Sequence, residues 1–163
     1  MNSQLSRRTV LSFMGLAAVP TTILAMPDDQ DNGRPAPLDK ELVRKFVSAA
    51  HGDLDLVKEL LAETPGLLNA VHDWGGGDFE AAIGGAGHMG RRDIADYLIG
   101  KGAKTTLFVH TMFGETDVVK AALTQHPQLA QTRGPHGLTM KFHAKKGGEQ
   151  AKELLEYLES LEA

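Results

Sequence analysis

Histidine and carboxylate side chains are the residues of this sequence best suited to chemistry, because the chain contains seven histidines and no cysteine. His110 and His143 each lie four residues before a glycine, and His136 lies between them. Imidazole binds metal ions and acts as a general acid or base near pH 7. If the fold brings these three together, Asp78 or Glu80 would complete a metal or acid–base site. The alternative is that His110 and His143 are buried and hydrogen-bonded to loop carbonyls.

The other histidines that we weigh lie beside predicted turns. His51, His88 and His126 each fall near the end of a predicted helix, where capping or loop hydrogen bonding is the simpler interpretation. We nevertheless keep His88 in the set of candidate partner- or ligand-binding residues. From the sequence alone we assign no metal, no cofactor and no catalytic residue.

The segment from His72 to Glu80 is the most unusual in composition. It contains the only tryptophan, Trp74, together with three consecutive glycines and three acidic residues. One hypothesis is a projecting finger with Trp74 as a binding anchor, because a rigid amphipathic ring suits recognition. The other is that Trp74 folds back over the neighbouring unit as a lid. No Gly-Lys-Ser/Thr follows the glycines, which argues against a phosphate-binding loop.

A repeated pattern indicates the elements that position these residues. Three segments begin with glycine, carry Asp three residues later and have apolar residues at offsets +4, +5, +8 and +9; they span residues 52–61, 90–99 and 114–123, and a weaker copy starts at Gly147. These offsets form one apolar stripe on a helix. The Asp in the first turn suits the helix dipole, and the glycine suits the preceding turn. One such helix cannot bury its stripe alone, whereas stacked copies can.

A shorter segment that can form a first helix precedes each of these glycines, at residues 41–50, 80–87, 105–113 and 138–144. The resulting unit of helix, turn, helix and loop resembles the ankyrin repeat. The segment that is most similar to the family's sequence is Gly87-His-Met-Gly-Arg-Arg-Asp-Ile-Ala-Asp-Tyr-Leu-Ile-Gly-Lys-Gly-Ala103. The resemblance implies an all-α, ankyrin-like helix-turn-helix solenoid of about four irregular repeats over residues 38–163.

The sequence departs from the ankyrin pattern in two respects. The Thr-Pro-Leu-His tetrapeptide that opens the family's first helix occurs in no unit. The matched glycines at positions 52, 90, 114 and 147 are separated by 38, 24 and 33 residues, whereas ankyrin repeats have a period of about 33. We therefore predict a short and irregular array.

Small residues are concentrated in one predicted first helix. Gly84, Gly85 and Gly87 surround a single alanine there. Such residues allow very close approach of neighbouring helices, which is the simpler interpretation. The alternative is a gap that admits a ligand.

The N-terminal segment resembles a twin-arginine export signal. The motif is Ser6-Arg7-Arg8-Thr9-Val10-Leu11, and an apolar run over residues 10–25 follows it. That run is shorter than the roughly 20 residues a membrane-spanning helix needs, and it fits a cleaved signal peptide. We expect a signal peptide over residues 1–25, a disordered linker over residues 26–37, and a periplasmic or secreted protein with no stable membrane span after cleavage.

The charge balance limits the classes of partner. The chain has 17 basic and 21 acidic residues, a net charge of −4. Loss of Arg7 and Arg8 with the signal would make it −6. With no basic patch, we expect neither nucleic acid nor an anionic membrane surface as a partner. The absence of cysteine excludes disulfides and thiolate metal sites, and we expect a monomer.

Two functional hypotheses follow. The first is an exported ankyrin-repeat module of the bacterial cell envelope that binds another, unidentified envelope or secreted protein. The second is a small-molecule-binding protein or enzyme that uses a histidine and acid cluster on the concave face; catalysis is the less favoured outcome. The candidate binding residues for either are Trp74, Asp78, Glu80, His88, His110, His136 and His143.

Overall fold

The computed structural model describes residues 35–161. The predicted export signal, with Arg7 and Arg8, and nearly all of the predicted linker lie outside that range. The described residues from Ala36 onward form one compact unit. No helix among the described residues is both long enough and apolar enough to span a membrane.

The described chain is mostly helical, which confirms the all-α prediction at the level of fold class. The helices are α1 (Lys40–Ala49), α2 (Leu54–Glu63), α3 (Ala82–Met89), α4 (Arg92–Gly100), α5 (Leu107–Phe113), α6 (Thr116–Gln125), α7 (Met140–Gly147) and α8 (Lys152–Ser160). Two short strands, β1 (Val71–Asp73) and β2 (Phe79–Ala81), lie between α2 and α3. Short 3-10 turns occupy Pro65–Asn69, Pro127–Gln131, Pro135–Gly137 and Gly148–Ala151.

Local sequence signals place the helix ends. The carboxylate of Asp39 accepts a hydrogen bond from the backbone N–H of Leu42 and so caps the N-terminus of α1. Asp53 caps α2 in the same way. Gly90 and Gly114 end α3 and α5 with φ angles of 72° and 71°. Only glycine adopts this left-handed conformation without strain, which explains the glycine that follows these first helices.

The apolar stripes of the helices form the core. Residues of α1 to α5 bury one cluster, which includes Phe46, Ile94 and Leu98. Residues of α6 to α8 bury a second, which includes Leu123 and Leu154. Burying aliphatic and aromatic side chains stabilises the fold by about 1.5–3 kcal/mol each, so packing between neighbouring units rather than within one helix holds the domain together.

The odd-numbered helices line up next to one another. Helix α1 contacts α3, α3 contacts α5, and α5 contacts α7. Helix α3 also contacts α7. This arrangement brings the loop before α7 towards the hairpin of β1 and β2, and the bond from the backbone N–H of His136 to the Asp78 carboxylate, 2.8 Å long, joins them.

The hairpin corrects the prediction for residues 80–87. The first helix of that unit begins at Ala82, and Glu80 lies in β2. In the antiparallel pairing, Val71 is opposite Ala81, and His72 is opposite Glu80. Alternate side chains of a strand point to opposite faces, so Glu80 and its two neighbours in β2 serve different faces of the hairpin.

Candidate metal centre

Glu80 is the centre of a polar cluster on the inner face of the hairpin. Its side chain is buried, with 1% of the residue exposed. The indole N–H of Trp74 donates to Glu80 Oε2 at 2.8 Å. The other oxygen, Oε1, is buried and receives no hydrogen bond from any described residue. A buried carboxylate oxygen that accepts no hydrogen bond is costly, so this atom is the first indication of a ligand.

His51 follows the end of α1 and points its Nε2 atom at this carboxylate. Its Nδ1 atom lies 2.9 Å from the carbonyl oxygen of Val47. A carbonyl only accepts, so Nδ1 carries the proton, and in the neutral ring Nε2 presents a lone pair. His51 Nε2 lies 3.4 Å from Glu80 Oε2. The ring rests on α3 at Gly85, where a Cβ atom would lie 2.8 Å from His51 Cε1.

His88 comes from the last turn of α3 and is buried. Its Nε2 atom lies 3.0 Å from Glu80 Oε1, a pairing distance without the alignment of a hydrogen bond. The same atom lies 3.1 Å from His51 Nε2. Two imidazole nitrogens this close repel unless a proton or a metal ion lies between them.

His136 reaches the cluster from the loop before α7. Its backbone is left-handed, with φ of 58°, which is unusual for a residue other than glycine. Asp78 holds it there: one carboxylate oxygen accepts the backbone N–H at 2.8 Å, and the other lies 2.9 Å from ring Nδ1. The Nε2 atom of His136 therefore faces the cluster, 3.4 Å from Glu80 Oε2.

The four groups have the composition and spacing of a metal site. One ligand atom from each of His51, Glu80, His88 and His136 lies within 4.8 Å of the others. Zinc–nitrogen and zinc–oxygen bonds of about 2.0–2.1 Å in a tetrahedron place neighbouring ligand atoms about 3.3 Å apart. His88 Nε2 lies 3.0 Å from Glu80 Oε1, and the Nε2 atoms of His51 and His136 each lie 3.4 Å from Glu80 Oε2, so these three separations are close to that value.

The pKa values of the cluster reflect the same proximity. Burial acts most strongly on Glu80 and would raise its pKa, but the adjacent rings of His51 and His88 and the hydrogen bond from Trp74 together outweigh burial and hold that pKa well below its usual range. The pKa of His51 is raised, chiefly because its ring pairs with Glu80. The carboxylate is thus ionised, and the cluster attracts a cation.

The structure brings together five of the predicted binding residues and separates two. Trp74, Asp78, Glu80, His88 and His136 meet in the cluster. The predicted trio of His110, His136 and His143 does not form. His110 lies 2.6 Å from Glu115 and 2.8 Å from Thr105, so nearby residues occupy both its ring nitrogens.

His143 is buried, which is what the alternative to the histidine trio predicted for this residue. Its Nδ1 atom lies 2.9 Å from the carbonyl oxygen of Thr139, one turn back in the chain. Burial lowers its pKa. This side chain is therefore held neutral beside the cluster and is not one of the four grouped ligands.

Sequence reasoning missed His51, which takes the place of the two excluded histidines. It lies directly before Gly52, as His88 lies two residues before Gly90. The sequence signal for His51 is its position: His51 and His88 each lie at the end of a predicted first helix in adjacent units. Stacking of those units brings the two helix ends, and therefore the two histidines, together.

The glycines of α3 allow close packing, as expected, and also make room for a side chain of the site. Gly87 approaches α5 closely, since a Cβ atom there would lie 3.2 Å from Val109 Cγ2. Gly85 instead leaves room for the His51 ring. Close packing and space at the site are therefore combined in one short helix.

Comparison with known proteins gives no family for this arrangement. No protein-family model matches the sequence, and no curated protein matches it significantly. The function is therefore inferred from the site itself.

Proposed function

We propose that this domain binds one divalent first-row transition-metal ion, of the zinc class, through His51, His88, His136 and Glu80. The observation that carries the proposal is the buried Glu80 Oε1 atom, which accepts no hydrogen bond from the described residues. The imidazole nitrogens around it complete a set of three nitrogens and one oxygen. Imidazole and carboxylate ligands without thiolate are usual for zinc and related ions.

The groups behind the ligands support this proposal. Val47 O and Asp78 accept from the Nδ1 atoms of His51 and His136, which leaves both Nε2 lone pairs free for a metal. Trp74 donates to Glu80 and fixes that carboxylate. Metal-binding histidines almost always donate their second ring N–H to an oxygen in this way.

The charges are balanced for a divalent ion. Glu80 supplies one negative charge within the ligand set, and Asp78 supplies a second directly behind His136. With three neutral imidazoles, these two carboxylates match a charge of +2. A buried pair of carboxylate and cation avoids the cost of an uncompensated charge.

The ion would join four separate parts of the chain. Its ligands come from the end of α1, from β2, from α3 and from the loop before α7. Four protein ligands fill a tetrahedral site, which is typical of metal ions that hold a fold together. We therefore propose a structural or carrying role for the ion, and we derive no reaction from it.

The same proposal includes the architecture and location expected from the sequence. The order of the helix pairs supports an ankyrin-like array, and the twin-arginine motif supports export of an already folded, metal-loaded protein. A partner in the cell envelope is less well supported, because the indole of Trp74 is engaged with Glu80 instead of being free as an anchor. Trp74 acts here chiefly as a positioning residue.

Zinc titration of the metal-free whole chain by isothermal titration calorimetry tests the proposal. We expect one zinc ion per chain. His88→Asn should weaken binding by at least about 100-fold, since merely disturbing a group behind a ligand costs 10–100-fold. His110→Asn is the matched control and should leave the affinity unchanged, because His110 pairs with Thr105 and Glu115.

Two results would overturn the proposal. One is a parent protein, folded by circular dichroism, that binds no zinc and no other first-row divalent ion. The other is an equal loss of affinity in the His88 and His110 variants, which would mean that the cluster is not the site.

A further inference from the structure

A second cavity lies on the opposite face of the hairpin from the metal centre. It has a volume of about 420 Å³ and is lined mainly by apolar side chains. Ligand pockets of proteins usually measure about 300–1,000 Å³. The lining residues include Phe79, Ala81, Ile83, Leu107, Phe108 and Met140.

Successive side chains of β2 point to opposite faces of the hairpin, so this one strand borders both the metal centre and the cavity. Glu80 points to the metal centre, whereas Phe79 and Ala81 line the cavity. Gly84 lies between β2 and the loop before α7. A Cβ atom at this position would lie 3.5 Å from Glu80 Cγ and 3.8 Å from Pro135 Cγ. The cavity is therefore a separate feature of the fold, and its existence does not depend on the proposed metal.

The cavity is apolar but not closed to solvent at Phe79, of which 61% is exposed. Val71 lines the same cavity and is 50% exposed, so two exposed apolar side chains lie at one opening, and exposed apolar patches mark ligand-binding grooves more often than single exposed residues do. An apolar ligand in the cavity would cover it, and each methylene group buried contributes about 0.8 kcal/mol.

The polar residues of the lining are Lys104, Thr106, Thr132 and His143, and the first and last of these indicate the chemistry of the ligand. Lys104 lies in the lining, and its ammonium group makes no ion pair with any described residue. His143, with 1% of the residue exposed, also lines the cavity. Its Nδ1 atom is used by Thr139, and its Nε2 atom has no hydrogen-bond partner within residues 35–161.

We propose that this cavity binds a small amphiphile with an apolar chain and a single carboxylate head, of the size of a medium-chain fatty acid. The chain would lie along Ile83, Leu107 and Met140, and the head would pair with the Lys104 ammonium. A cation is the natural partner for a carboxylate at the edge of an apolar pocket.

A decanoate titration of the whole chain, followed by calorimetry below the micellar concentration, tests this proposal. Octanoate and hexanoate extend the series. We expect saturable binding of one decanoate, with affinity falling about fourfold for each methylene removed, the equivalent of 0.8 kcal/mol. Decylamine, with the same chain and the opposite charge, should bind at least about tenfold more weakly.

Lys104→Met and Lys101→Met form a matched pair of variants. Both remove an exposed ammonium group, but Lys101 lies over the Tyr97 ring and does not line this cavity. Lys104→Met should remove the preference for decanoate over decylamine, whereas Lys101→Met should keep it. Ala81→Leu should fill the cavity and abolish binding of every chain length. The helical circular dichroism signal serves as the check that each variant is folded, so this test does not depend on zinc binding.

Several results would overturn the proposal. These are no saturable decanoate binding by a folded protein, no dependence on chain length, equal affinity for decylamine, or an unchanged head-group preference in Lys104→Met. If the protein sedimented with phosphatidylglycerol vesicles but did not bind free decanoate, the apolar surface around the cavity would be assigned to contact with a membrane instead. Because zinc binding is measured separately, failure here leaves the metal proposal standing, and the reverse also holds.

Discussion

Gly85 determines whether the His51 ring can lie against helix α3, so replacing it by alanine should disrupt the metal centre. A Cβ atom at Gly85 would lie 2.8 Å from His51 Cε1 and 2.9 Å from His51 Nδ1. Ordinary contacts between such atoms are about 3.5–4.0 Å. The ring must therefore retreat by roughly 0.7–1 Å in Gly85→Ala.

That displacement is large compared with what a metal ion tolerates. Metal–ligand distances in proteins stay within about 0.2 Å of their preferred values. His51 would leave the ligand set, and the bond between its ring and Val47 O would weaken as well. We expect the zinc affinity of Gly85→Ala to fall by at least about 10–100-fold, the cost of disturbing a group that only supports a ligand.

Gly84→Ala is the matched control, one residue earlier in the same helix. A Cβ atom there would meet Glu80 Cγ at 3.5 Å and Pro135 Cγ at 3.8 Å, which are ordinary contacts. Alanine is favoured over glycine in a helix by about 0.8–1.0 kcal/mol. Gly84→Ala should therefore keep the zinc affinity and gain up to about 1 kcal/mol in the free energy of unfolding.

The assay is competition for zinc with a chromophoric chelator at pH 7.5, with urea unfolding of the metal-free variants alongside. A folded Gly85→Ala protein with the parent's zinc affinity would refute the reasoning. So would an equal loss in Gly84→Ala, because the effect would then follow from stiffening the helix and not from the position of His51.

Three further predictions concern residues around the cluster. Trp74→Phe keeps an aromatic ring but removes the N–H that Glu80 accepts, so zinc affinity in the chelator assay should fall about 10–100-fold; an unchanged affinity would show that the indole does not position the carboxylate. Asp78→Asn should lower zinc affinity by a similar factor while leaving the helical circular dichroism signal intact, and parent-like binding would contradict its role behind His136. Burial lowers the pKa of His143, so the unfolded chain binds the proton first and stability is lost as pH falls below about 6.5. Between pH 7.5 and 5.5, metal-free His143→Gln should lose less unfolding free energy than the parent, and an equal loss in both would contradict this.

The opposite pKa shift of His51 does not disturb the pH comparison. Its raised pKa contributes stability below about pH 6.5 that is lost as pH rises through the folded value. This contribution is present in both the parent and His143→Gln. The difference between the two proteins therefore isolates the buried histidine.

The helices of the repeat could be predicted from the sequence because their signals are local. Apolar spacing, first-turn acids such as Asp55 and glycines such as Gly90 act within a few residues of each helix. Proline is another local signal, since Pro65 and Pro127 both begin 3-10 turns. These features need no knowledge of what the helices pack against.

The hairpin was not predicted, because its strands are too short to show alternation. Each has only three residues. Reading Glu80 as the start of a helix still identified it as a candidate ligand, but not as a buried one. Its burial depends on pairing with β1 and on Trp74, six residues earlier in the chain.

The ligand set was only partly predictable, since it depends on long-range geometry. His136 meets Asp78 from 58 residues away, and its place follows from contact between α3 and α7. His51 was undervalued because only the missing side chain of Gly85 makes room for its ring. His110 was overvalued because Glu115 and Thr105, close in sequence, already satisfy both its nitrogens.

X-ray absorption at the zinc edge of the zinc-loaded whole chain tests the central claim most directly. We expect about four nitrogen or oxygen neighbours at about 2.0–2.1 Å, with outer-shell scattering from three imidazoles that falls to two in His88→Asn. A shell of six oxygens without imidazole scattering, or a spectrum that His88→Asn leaves unchanged, would contradict the assignment of the site.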